Sequence, residues 1–307
     1  MTRFVEDFSE SQAGFYGWRG NQEGAKKLEY LPHEDGGAVL SRSPWWIDYN
    51  HAPNDKGAGA GYLHMVYTFQ LRGESMGESY AEYGGGPGGN EHTNAFVRDR
   101  YPTDWRDAKL TVRLRGEVQQ TNGASLCLLI QSVVDGICSG YILASQPIPI
   151  TAEYSETTIT CFDDESKWTA LGSRHDRTAT YGVKPFQDVI SDINTNILLI
   201  FFPLDVQPVA ALWPPHLAER GVGGSATSHG LHLPTGGRDP IRERGRGQYT
   251  EQESLLRGGA HYLRPERDYP VWRGRLPDGY VLLSRFELSF PPTVAAKAAA
   301  AAAAAKL

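Results

Sequence analysis

The residue types best suited to chemistry stand together in Ser43-Pro44-Trp45-Trp46-Ile47-Asp48-Tyr49-Asn50-His51. A flat aromatic face stacks on the C–H surface of a sugar ring, while carboxylate, amide and imidazole tips bond its hydroxyls. Trp46, Asp48, Asn50 and His51 are therefore candidate ligand contacts. Neighbouring side chains on a strand face opposite ways, so the expectation is Trp45 turned toward a core and Trp46 turned outward. The plainer alternative packs both rings internally and leaves Asp48 and Asn50 as turn residues.

A second cluster is Arg174-His175-Asp176-Arg177. Arg174 and Arg177 could grip the carboxylate of an acidic sugar. His175, oriented by Asp176, could serve as a general base, although direct contact between sequence neighbours requires a turn. A solvated polar loop is the competing reading. Tyr80 and Tyr83, interleaved with Glu78 and Glu82, precede the glycine-rich run 84–89 and suit a loop that closes over a ligand.

Other chemistries find less support. Gly57, Gly59 and Gly61 look at first like a phosphate loop, but no Lys-Ser/Thr pair follows them. His216, His229, His232 and His261 lie within one region without the spacing of a zinc motif. No Gly-x-Ser-x-Gly elbow occurs. Carboxylates for glycoside cleavage would have to converge from distant positions such as Asp48, Glu78, Glu117 and Glu153. The odd set Cys127, Cys138 and Cys161 lies in or near apolar runs, which favours buried thiols over a disulfide framework; a Cys127–Cys138 bridge is the alternative.

With 36 acidic and 30 basic residues the net charge is −6, which argues against a nucleic-acid partner. Apart from the terminal alanines no apolar run reaches membrane-spanning length, so no membrane partner is expected. Residues 1–11 lack the basic and apolar pattern of a secretion signal. That leaves two compartments open: the cytoplasm, or secretion with a signal already removed.

These groups need a scaffold, and the pattern around them is one of strands. Residues 109–118 alternate, with Leu110, Val112 and Leu114 on one face and Thr111, Arg113 and Arg115 on the other. Continuous apolar runs at 62–71, 125–134 and 196–206 predict buried strands. Further strands are predicted at 138–145, 157–162 and 280–290, and a hairpin pairs 27–31 with 38–41. Asp135-Gly136 marks a tight turn. Helical spacing of Phe186, Val189, Ile190 and Ile193 predicts one short helix over 185–194. Residues 72–104 read as a long loop, and 207–270 as an excursion poor in apolar periodicity, with one short helix near 250–257. One domain is expected over 1–294, and the alanine-rich 295–307 carries no functional reading.

The arrangement resembles the jelly-roll β-sandwich of galactose-binding-like and other carbohydrate-binding modules. The resemblance rests on Val5-Glu6-Asp7-Phe8 at the start, 110–118 followed by 126–131, 157–162 running into Trp168, and a last strand at 281–290. It implies an all-β fold: an antiparallel two-sheet jelly-roll sandwich with long loop insertions. It also implies a structural calcium shared by an acidic residue near the first strand and one on the last, which here match Asp7 and Glu287. No other cofactor is implied.

Three function classes follow. The leading one is a glycan-binding protein without chemistry of its own. The second is a glycan-processing hydrolase or lyase on the same scaffold. The third is a structural subunit of a homo-oligomer, with the 207–270 excursion as a packing arm.

Overall fold

A computed structural model describes residues 2–9, 18–20, 29–43, 45, 47–48, 61–68, 96, 99–171, 182–204, 207–208, 272–273, 276–292 and 294. In chain order the strands are β1 (Arg3–Glu6), β2 (Trp18–Gly20), β3 (Glu29–Leu31), β4 (Ala38–Arg42), β5 (Ile47–Asp48) and β6 (Tyr62–Thr68). There follow β7 (Ala108–Gln119), β8 (Ser125–Val134), β9 (Ile137–Ile142), β10 (Ser155–Cys161) and β11 (Thr169–Ala170). A helix α1 (Phe186–Ile190) leads to β12 (Asn196–Phe202), then β13 (Gln207–Pro208), β14 (Trp272–Arg273) and β15 (Asp278–Ser289).

Apart from the separate pair β13–β14, the described strands form two antiparallel sheets with very little helix, an all-β fold. Sheet A runs β10-β7-β15-β4-β3, with β1 also on β15. Sheet B runs β11-β9-β8-β12-β6-β2, with β5 also on β6. One apolar core joins them: Leu110, Val112, Leu114, Leu283 and Phe286 of sheet A share it with Leu126, Leu128, Ile130, Leu199 and Phe201 of sheet B. Strand alternation places these residues, since every second side chain of β7 and β8 points inward. The β8–β9 turn has positive φ at Asp135 (48°) and Gly136 (76°), the backbone that a two-residue Asp-Gly hairpin requires.

The expected helix is shorter than its spacing predicts. Phe186, Val189 and Ile190 are buried, and then the chain turns back to the sheet. Asn194 fixes that return: its Oδ1 accepts from the Val133 backbone N–H at 2.9 Å, and β12 begins two residues later. Gln207 and Pro208, at the start of the 207–270 excursion, pair with Arg273 and Trp272, just past its end. All three cysteines are buried. Burial pushes the Cys161 thiol up to about 12.

Among the described residues, each of the two sheets carries a bulge in a comparable place. In sheet B, Leu199 pairs with Val66 and Ile200 with His64, which leaves Met65 as the extra residue. It lies between the part of β6 that pairs with β5 and the part that pairs with β2. In sheet A, Leu283 pairs with Leu114 and Arg285 with Arg113, which leaves Ser284 extra. It lies between the part of β15 that pairs with β4 and the part that pairs with β1.

Candidate functional site

The outer faces of the two sheets offer different chemistry. On sheet A, Arg113 reaches Asp35 through two hydrogen bonds, of 2.6 and 2.9 Å. Arg115 donates to Glu34 at 3.0 Å. Both guanidinium groups lie over the Tyr154 ring, 5.1 and 5.4 Å from its centre. Glu287 is held by Arg3 and by Arg285. The described arginines of this face thus already serve carboxylates of the same chain. Burial opposes the ionisation of Glu287, but Arg3 and Arg285 prevail and hold its carboxyl below the usual range.

Asp7 and Glu287, the expected calcium pair, sit in this setting. Asp7 Oδ1 accepts from the Ser9 backbone N–H at 3.0 Å and from Ser9 Oγ at 2.6 Å. Those bonds hold its carboxyl below the ordinary range. Calcium needs six to eight oxygens. Among the described residues no group of three or more His, Cys, Asp or Glu is placed to hold a metal. Asp7 is thus held by Ser9, and Glu287 by Arg3 and Arg285.

The face of sheet B turned away from the shared core is largely apolar and is itself buried. Tyr62, Cys127, Leu129, Ile142, Leu198, Ile200 and Phe202 form a second buried cluster there. Set into it are three buried polar residues, His64, Gln131 and Asn196. The Tyr62 and His64 rings lie 5.1 Å apart between centres, tilted by 41°. Asn196 Nδ2 donates to Gln131 Oε1 at 2.7 Å, and the two residues are register partners across β12 and β8. Asn196 Oδ1 is buried without a hydrogen-bond partner. The amide pair stands four residues along β12 from Ile200, the partner of His64, or about 13 Å. Tyr62 and His64 are each 2% exposed, so the polar groups of this face are enclosed by the fold.

The aromatic stretch of the sequence meets this sheet. Trp45 is 1% exposed and packs against Phe201 at 4.9 Å. Its indole Nε1 donates to Ser41 Oγ at 2.9 Å. The inward expectation for Trp45 agrees with the structure. Two residues on, β5 pairs with β6, Ile47 opposite Leu63 and Asp48 opposite Tyr62. Trp46, Asn50 and His51 lie outside the described residues, as do Tyr80, Tyr83, Arg174, His175, Asp176 and Arg177.

Neither a family model, nor a curated protein, nor a solved structure matches the chain. The residues of the site therefore stand on their own geometry.

Sequence reading passed over Tyr62, His64, Gln131 and Asn196. A signal was present: each is a polar or amphipathic residue inside one of the most apolar strands. A polar group in such a strand either finds a partner or marks a site. Of the carboxylates considered for glycoside cleavage, Glu117 and Glu153 are exposed, with Glu117 on β7 in sheet A, while Asp48 belongs to β5 in sheet B.

Proposed function

We propose that this chain is a carbohydrate-binding protein whose two sheets form a jelly-roll sandwich, and that it recognises glycans by aromatic stacking and polar contacts. One observation carries the reading. Trp45 is anchored in the core while β5, immediately after it, is paired to the strand that bears Tyr62 and His64. The part of that stretch that forms β5 is thereby joined to the strand that bears the Tyr62–His64 pair. Aromatic faces with hydroxyl-bonding tips are the groups a sugar ring needs.

The test is titration calorimetry with oligosaccharides of galactose, glucose and xylose. The expected result is weak binding, with Kd of about 0.1–1 mM, reduced at least about tenfold by Trp46→Ala or Tyr62→Ala. Absence of any saccharide binding at millimolar concentrations sinks the reading.

The Tyr62–His64 contact also favours a second reading, because a phenol beside an imidazole supplies two groups able to move protons. On that reading the chain cleaves a glycan. Release of new reducing ends from a polysaccharide, lost in His64→Ala, would select it. Turnover unaffected by His64→Ala but lost in His175→Ala would move the chemistry to the Arg174–Arg177 cluster.

A further inference from the structure

Ser41 belongs to sheet A, but both of its side-chain hydrogen bonds lead to the site on sheet B. Its hydroxyl donates to the Met65 carbonyl at 2.6 Å and accepts from the Trp45 indole at 2.9 Å. It is 4% exposed, so neither bond has water as a ready substitute.

Met65 is the extra residue of the β6 bulge. A bulge leaves one residue out of the ladder, and its polar groups need another partner. The bulge also decides which side chains show on which face. Before it, Leu63 faces the shared core and His64 the second cluster's face; after it, Met65 and Val66 both face the core. A one-residue slip would exchange those faces. Tyr62 and His64 share one face by alternation, and the Met65 backbone that Ser41 holds is the residue next to His64. The same hydroxyl fixes Trp45, the anchor from which β5 departs.

We infer that Ser41 is a positioning residue for the proposed ligand site: through one hydroxyl it couples the Trp45 anchor, from which β5 departs, to the bulged Met65 backbone next to His64. The inference rests on the carbohydrate-binding reading for its consequence in affinity, but not for its consequence in geometry.

The experiment compares wild type, Ser41→Ala, Ser41→Thr and Trp45→Phe. Binding of galactose, glucose and xylose oligosaccharides is measured at a temperature where denaturation curves show each variant folded. The His64 ring signals are followed by NMR. Their position reports the stacking on Tyr62.

Expected is an affinity loss of about tenfold or more in Ser41→Ala, a smaller loss in Trp45→Phe, and recovery to within about threefold in Ser41→Thr. The His64 signals should move in Ser41→Ala and return in Ser41→Thr. Affinity within twofold of wild type in folded Ser41→Ala, with His64 signals unmoved, overturns the inference. If Ser41→Thr is too bulky to fold, Trp45→Phe decides. It removes one bond of the pair, so an unchanged His64 signal and unchanged affinity there count against the coupling.

If the wild type binds no saccharide, the functional proposal fails alone. The NMR comparison still judges Ser41.

Discussion

Met65 in sheet B and Ser284 in sheet A occupy comparable places, each between the two short strands that share an edge of its own strand. Both are pinned from the same hairpin, β3–β4, yet by opposite chemistry. Met65 is held by the neutral hydroxyl of Ser41 inside the molecule. Ser284 donates to Asp35 at 2.6 Å, and Asp35 is itself gripped by Arg113. One pin is buried and uncharged, the other partly open to solvent and ionic. The comparison teaches where each sheet is vulnerable. A buried donor or acceptor that loses its partner bears the full desolvation penalty, whereas an open ion pair exchanges part of its partner for water.

The largest effect should come from Ser41→Ala, which leaves the Met65 carbonyl and the Trp45 indole N–H without partners. A loss of about 2–4 kcal/mol in urea denaturation is expected. A loss below about 1 kcal/mol would mean that the two pins do not differ as described. Next comes Trp45→Phe, which removes one of the two bonds and some of the packing on Phe201, for about 1.5–3 kcal/mol. In a double-mutant cycle the two substitutions should couple by about 1 kcal/mol, because they share a hydrogen bond. Additive losses would break the relay into independent contacts.

Asp35→Asn should cost less, about 1 kcal/mol at neutral pH, since the Asp35 carboxylate is partly exposed and the Arg113 bonds survive in part. This pin should also respond to acid. Arg113 chiefly, with Ser284, holds the Asp35 carboxyl below its ordinary range against the opposing effect of burial. A carboxyl whose folded pKa is depressed stabilises the fold fully above its unfolded pKa, and that stabilisation drains as pH falls through the folded value. The gap between wild type and Asp35→Asn should therefore narrow from pH 7 to pH 3. A gap that stays constant would show that Asp35 acts by shape alone. The two hydrogen bonds of Ser41 themselves involve no titrating group.

The smallest effect expected is that of Ser284→Ala. Asp35 keeps Arg113 there, so a loss under about 1 kcal/mol should appear as a small shift in melting temperature. A loss matching that of Ser41→Ala would erase the contrast between the pins.

Much of the fold could be read from the residues. Alternation over 109–118 anticipated β7, and the apolar run 125–134 coincides with β8. The turn after Leu31 and the return at Ala38 gave the hairpin that carries both pins. Neighbour alternation also gave Trp45 its inward direction. What escaped was every feature that depends on pairing between distant segments. β1 pairs with β15 across nearly the whole chain. The bulges at Met65 and Ser284 exist only relative to β12 and β7. Glu34 and Asp35 look like ordinary turn residues until the hairpin lays them against Arg115 and Arg113. The site residues Tyr62, His64, Gln131 and Asn196 escaped for the same reason: each looked like part of a buried strand, and only the register of sheet B places them on one face.

The sequence alone thus determined which segments extend, that a turn lies at Asp135-Gly136 and which faces are apolar, because those follow from periods of two residues and from the backbone preferences of single residues. The tertiary structure decided the register, the two bulges and the partners of Ser41, Asp35 and Glu287. Those depend on which distant strands meet, and a one-residue change in that meeting exchanges the faces of a strand without altering its local pattern.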